Sequence, residues 1–291
     1  MPVEELSEER RSVIENIAAA VRDGDSFRKV ELHDPKITDE DIRRVILPFD
    51  NARRGIIGRT KALIARLLAE KFTKSVNALT ELRGEENMAG ITGGAIITAN
   101  HYNPTDSTPI RILATRHGAR RRLHIVVQET NVFMTGLFGF LMKNCNTHPV
   151  SKNAEYMVKN LRPALEDILR RGNLVLIYPE QEMWFNYKKP RDLRDGAYHY
   201  AALFGVPVIP TFTEMITQNG ERDADGFLPV KHILHIMPPI FPDPSLSVRE
   251  NRAMMHARDM ELRRAKYEEV YGISPDAPFC LERDIAGVMA R

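Results

Sequence analysis

Between residues 80 and 240, short apolar runs alternate with stretches of helical spacing. The runs Ala95 to Ala99, Leu123 to Val127, Leu174 to Tyr178, Val206 to Thr211 and His232 to Met237 are short and contain β-branched side chains, and all but the second have Gly, Pro or Asn at one end or both. They predict buried strands. The segments 105–117, 153–171 and 192–204 repeat apolar residues every three or four positions and predict helices. Strands alternating with helices define an α/β class with a mixed, largely parallel central sheet flanked by helices.

The pattern changes on either side. Residues 7–23 place Val13, Ile14, Ile17, Ala20 and Val21 at helical spacing before Gly24, and Thr38 opens a second helix that ends near Leu47, before Pro48. From Arg53 to Leu79 a third helix carries Ile56, Ile57, Leu63, Ile64, Leu67, Leu68, Phe72, Val76 and Leu79. Its cations Arg53, Arg54, Arg59, Lys61, Arg66, Lys71 and Lys74 face one acid, Glu70. Such a helix either lies in a lipid headgroup layer or docks on the core with a solvated basic face. A last helix begins at Ser247 with Glu250 in a capping box and runs to about Tyr271, before Gly272; Met254, Met255 and Met260 read as core filler. The expected organisation is an N-terminal helical region over 1–80, a candidate for membrane association, and a domain with a C-terminal helix over 81–291.

Composition narrows the function classes. With 291 residues, 43% of them hydrophobic and 27% charged, the chain can bury a large core. A net charge of +2 gives no general pull toward nucleic acid. Cys145 and Cys280 are too few for a disulfide framework, and the acidic N-terminus has no apolar signal core. The uncharged stretch Thr130 to Met142 falls short of the roughly 20 apolar residues that span a bilayer. The expected location is cytoplasmic, peripheral on the cytosolic face of a membrane.

Candidate chemistry centres on Ala95 to Asp106. A buried strand stops at Asn100-His101-Tyr102-Asn103-Pro104, and Thr105 or Asp106 can cap the next helix. His101 and Asp106 therefore flank one strand-to-helix corner, where open α/β sheets carry chemistry. A carboxylate bonded to one imidazole nitrogen fixes the tautomer and leaves the other as a general base. The strand Leu174 to Tyr178 runs into Pro179-Glu180; on a neighbouring parallel strand, Glu180 would reach the same sheet edge, either to bind acceptor hydroxyls or to pin the turn. No metal is expected, since His232 and His235 point to opposite faces of a strand, and no nucleotide-binding glycine loop occurs.

With those residues in view, the chain resembles the lysophospholipid acyltransferase family, which includes glycerol-3-phosphate and 1-acylglycerol-3-phosphate acyltransferases. The Asn-His-x4-Asp block stands as Asn100-His101 through Asp106, preceded by Gly84-Glu85-Glu86-Asn87. The Phe-Pro-Glu-Gly block is similar to Tyr178-Pro179-Glu180-Gln181, the Val-Pro-Val-Ile-Pro block to Val206 through Pro210, and the closing Gly-x-Pro-Ile to Met237-Pro238-Pro239-Ile240. The likeness covers about residues 80–270. It implies an O-acyltransferase in which His101 is the base and Asp106 its partner, with direct attack of an acceptor hydroxyl on an acyl thioester. Acyl-CoA or an acyl carrier protein would be co-substrate, with no further cofactor. The acceptor would be a lysophospholipid, glycerol phosphate or glycolipid. The N-terminus of the helix after Asp106 can supply oxyanion donors.

The departures bear on the acceptor. Where the family Glu is followed by Gly-Thr-Arg, this chain has Gln181-Glu182-Met183; a family Lys falls at Gln128, and a family Arg at Lys152. Losing two cations, at Met183 and Gln128, and gaining Glu182 weakens the claim on a phosphomonoester, unless Lys188, Lys189 or Arg191 restores it. Trp184, Phe185 and Tyr187 can form a platform for a sugar ring or acyl chain, or pack under their loop. Met134, Leu137, Phe138, Phe140 and Leu141 can line the acyl channel, dip into the interface, or form a buried helix. A lipid-binding scaffold of the same fold, or a lipid or thioester hydrolase using water at the same base, remains an alternative.

Overall fold

The computed structural model describes residues 5–32, 35–53, 55–117 and 122–289, so Arg54, Arg120 and Arg121 lie outside the described residues. Its sheet has seven strands: β1 (Glu81–Arg83), β2 (Ala95–Thr98), β3 (Leu123–Gln128), β4 (Thr147–Val150), β5 (Leu174–Ile177), β6 (Val208–Thr217) and β7 (Val230–Ile236), in the order β1-β7-β6-β2-β5-β3-β4. From β6 to β4 the pairings are parallel; β7 is antiparallel to β6, and β1 runs with β7. The expected mixed, largely parallel sheet is the one observed. The sequence pattern did not predict β1 and β4, because β1 has three residues and β4, at the edge, carries Pro149.

Alternation along the central strands divides the core into two layers. Ile96, Val175 and Val208 face one side, under α5 (Arg162–Arg170), α6 (Gly196–Phe204) and α7 (Val248–Tyr271). Ala95, Ile97, Leu174, Leu176 and Ile209 face the other, against Ile110, Leu113 and Ala114 of α3 (Ser107–Arg116). The helix expected over 153–171 begins at Ala154 and has a π-helical segment, Met157–Leu161, before α5. Met255 is fully buried, with Met254 and Met260 packed beside it, as filler should be.

The residues before 80 are shared between separate parts of the body. α1 (Glu8–Arg22) buries Val13, Ile14 and Ile17 against Trp184, Tyr187, Phe227, Ile285 and Val288, whereas Ile46 and Phe49 join the core under α5 and α6. α2 (Ile56–Val76) packs on α4 (Gly136–Asn144) and α3. Its inward face is made of small residues, Gly58, Ala65, Ala69 and Thr73. The large apolar side chains that mark it as a helix in the sequence point out: Ile56, Ile57, Leu63, Ile64, Leu67 and Leu68 are exposed, with Leu137 and Phe138 of α4.

Candidate active site

β2 ends at Thr98, and beyond it side chains take over the hydrogen bonding of the ladder. The Asn100 amide oxygen accepts the Thr213 N–H at 2.8 Å and its amide nitrogen faces the Thr213 carbonyl at 3.3 Å, so this side chain continues the contact with β6 while the backbone turns away. The His101 N–H donates to Glu180 Oε2 at 3.1 Å. Asn103 Oδ1 then accepts both the Thr105 N–H at 3.0 Å and its hydroxyl at 2.8 Å, an Asx turn that delivers Asp106 to the start of α3. Asp106 holds the N-cap position without capping, because its carboxylate turns back toward His101.

His101 Nδ1 lies 2.7 Å from Asp106 Oδ2. The same oxygen accepts the Tyr102 N–H at 3.1 Å. The other, Oδ1, takes the Tyr178 hydroxyl at 2.5 Å, and the Tyr178 ring stacks on the imidazole with centroids 4.1 Å apart and 19° between planes. Burial, then the Asp106 charge, holds the Tyr178 phenol protonated well above the usual tyrosine range. The Asp106 side chain is 4% exposed and that of His101 22%. With Nδ1 engaged and no hydrogen-bond partner for Nε2 among the described residues, the imidazole has one nitrogen open to a reacting group.

The turn after β5 is different. Glu180 is buried, and its oxygens face the His101 N–H, the Arg191 guanidinium at 2.9 Å and, at a longer 3.4 Å, the Arg191 N–H. It pins the turn, and no face of it is open to an acceptor. Arg191, expected as a phosphate ligand, is also buried: it donates to the carbonyls of Ser26 and Glu182 and lies 4.4 Å over the Trp184 ring. Lys188 donates to the Arg283 carbonyl at 2.7 Å, and Lys189 to the Ala277 carbonyl. These cations tie the loop to the C-terminal segment, because Lys188 N–H to Asp284 and Ala286 N–H to Asn186 draw that segment alongside.

Trp184, expected at an acyl channel or sugar platform, is 2% exposed, and its indole N–H donates to the Arg28 carbonyl at 2.9 Å, because α1 covers it. Phe140 is half-buried between α4 and α2, and Phe138 is exposed with its edge toward Phe72 at 6.0 Å. Lys152 is exposed just beyond β4. Gln128, at the end of β3, donates to Glu182 Oε1 at 2.8 Å, so two of the positions that depart from the similar blocks bond to each other. A cleft of about 590 Å³ opens between α1 and the 275–279 segment, but neither His101 nor Asp106 lines it, and the dyad sits at an open sheet edge instead. Sequence reasoning missed Asn100 as the ladder substitute and Tyr178 as the side chain that bonds Asp106 Oδ1 and stacks on His101. The only signal for Tyr178 was a phenol where the similar block has Phe.

The comparisons with known proteins concern this α/β sheet and the segment that carries its His–Asp pair. Residues 79–214 match the family model Acyltransferase. Among solved structures the chain is similar in fold to PlsC, the 1-acyl-sn-glycerophosphate (LPA) acyltransferase from Thermotoga maritima. The TM-score is 0.51 and the identity 18%, over 81% of this chain and 89% of that one. A search of curated proteins finds no match.

Proposed function

We propose that this protein is an acyltransferase that moves a fatty acyl group from an acyl thioester, acyl-CoA or acyl-carrier protein, to a hydroxyl of a membrane lipid acceptor. The observation that carries the reading is His101, held at Nδ1 by Asp106 with Nε2 left open. In this mechanism Nε2 takes the acceptor's hydroxyl proton as the oxygen attacks the thioester carbonyl. The N-terminal end of α3 stabilises the oxyanion. Collapse breaks the C–S bond, the imidazolium returns its proton to the thiolate, and ester and free thiol leave. No Gly-x-Ser-x-Gly elbow occurs in the sequence, which favours direct transfer over an acyl-enzyme.

The reading includes a lipid surface as partner and a peripheral position on the cytosolic face. Large side chains of α2 and α4 point outward, exposed Arg59, Lys61, Lys71 and Lys74 lie on the same α2, and no helix among the described residues is long and apolar enough to cross a membrane. The acceptor is a lysophosphodiester or glycolipid rather than a phosphomonoester. Arg191, Lys188 and Lys189 are committed inside the protein and Gln128 is bonded to Glu182, which leaves Lys152 as the exposed cation among the proposed acceptor residues.

The test is free-thiol release from acyl-CoA and acyl-carrier protein, on vesicles with and without lysophosphatidate, lysophosphodiester and glycolipid acceptors, for wild type and His101→Ala. Acceptor-dependent release, lost in the variant and weakest with lysophosphatidate, is expected. Release without acceptor would make the protein a hydrolase, and vesicle binding with no release from either donor would make it a scaffold.

A further inference from the structure

Asp106 holds His101 with one oxygen, and the other oxygen has a single partner among the described residues, Tyr178. The terminal torsion of a carboxylate is a broad, soft well, and Oδ2, which also takes the Tyr102 N–H at 3.1 Å, anchors it on one side only. Fixing both oxygens removes that freedom. The Tyr178 backbone continues directly from β5, the parallel neighbour of β2, so its ring is carried by the sheet and not by the far end of a loop. The ring covers one face of the imidazole at 4.1 Å, which restricts the second torsion that matters, that of His101. Phe would fill the same space and keep the stack. What the phenol adds is one hydrogen bond to the oxygen that His101 does not use.

We propose that Tyr178 is a positioning residue for the dyad: its hydroxyl fixes Asp106 through Oδ1, keeps Oδ2 on His101 Nδ1, and draws negative charge away from the imidazole. This rests on the reading of His101 as general base. A donor on Oδ1 spreads the carboxylate charge, so the imidazolium gains less from Asp106 than it would from an undivided carboxylate. Deleting the hydroxyl then strengthens the hold on the proton. The base needs a higher pH to become free, and the looser carboxylate lowers the turnover of whatever base is free.

The experiment compares full-length wild type, Tyr178→Phe, Asp106→Asn and the double variant. Two readouts are used: the pH dependence of kcat and kcat/KM in the thiol-release assay, and the NMR titration of the His101 ring, assigned by its absence in His101→Ala. Tyr178→Phe is expected to lower kcat by roughly three- to tenfold with little change in KM. It should also move the acid limb of kcat/KM, and the ring titration with it, upward by about half a pH unit. In the Asp106→Asn background the same substitution should leave the ring titration where it was, because the coupling runs through the carboxylate. An acid limb and ring titration that coincide with wild type, or a shift that persists without the Asp106 charge, overturns the proposal. If no thioester is turned over, the functional reading fails, and the ring titration still decides the role of Tyr178.

Discussion

Two polar clusters stand side by side at the carboxyl ends of neighbouring parallel strands, and they have opposite characters. At the end of β2, His101 and Asp106 are held from behind by Tyr178 and by backbone N–H groups, and one ring nitrogen is left over. At the end of β5, Glu180 and Arg191 satisfy each other, the His101 N–H and nearby carbonyls, with side chains 3% and 2% exposed. The residue types would suit catalysis in both places. What separates them is spare hydrogen-bonding capacity facing solvent: the first cluster has some to give a substrate, and the second uses its own to hold the first in place through Glu180 Oε2.

That contrast predicts opposite responses to truncation. His101→Ala removes the proposed base from a half-open corner, so turnover should fall about 10⁴-fold, roughly 5.5 kcal/mol of barrier, with the thermal midpoint almost unmoved. Arg191→Met should do the reverse. It leaves Glu180 buried without its cation and strips the face of Trp184, and the expected loss is about 4 kcal/mol of folding stability. Urea unfolding of both variants, beside the thiol-release assay, checks the pair. An Arg191→Met protein as stable as wild type, but unable to use one acceptor class, would return Arg191 to the acceptor site.

The histidines sharpen the same contrast. His124 on β3 and His148 on β4 face each other, Nδ1 to Nε2 at 2.9 Å, inside the protein. Burial, then nearby Arg53, lowers His124 to about 3; burial, then His124 itself, lowers His148 well below the usual range; and burial lowers His232 to about 4. An imidazole whose folded value is depressed binds its proton more readily in the unfolded chain. Stability is therefore fully present above about pH 6.5 and is lost as pH falls from there toward the folded value. His124 alone should cost about 2 kcal/mol at pH 5, and the other two act in the same sense. The thermal midpoint should drop by several degrees between pH 7 and pH 5. A flat profile would mean that the His124–His148 pair is open to water, as His101 is.

How far each region could be read in the chain depends on where its partners lie. His101 and Asp106 are five residues apart at a strand-to-helix corner, so local pattern and block resemblance sufficed. The turn after β5 takes its meaning from Ser26, Arg28, Ala277 and Asp284, which come from both ends of the chain, and no periodicity around residue 180 encodes them. Its basic residues therefore read as candidate phosphate ligands. α2 shows another limit: nine apolar residues at helical spacing identified the helix, but the face that meets the protein is Gly58, Ala65, Ala69 and Thr73. Small residues allow close approach to α4 while leaving the large ones outside, an inversion that hydrophobicity alone does not register.

The smallest expected effect tests whether the second cluster is purely a support. Gln181 comes directly after Glu180 with φ at 63°, in the left-handed region, where the similar block has Gly. A side chain there costs roughly 1–2 kcal/mol, and glycine gives back part of that through the greater freedom of the unfolded chain. Gln181→Gly should thus raise stability by about 0.5 kcal/mol, and turnover should not change if the turn serves only to hold Glu180 beneath His101. Urea midpoints and initial rates at saturating donor measure both. A gain in stability accompanied by slower transfer would show that Gln181 touches the acceptor, and the line between the working corner and its support would then run through residue 181.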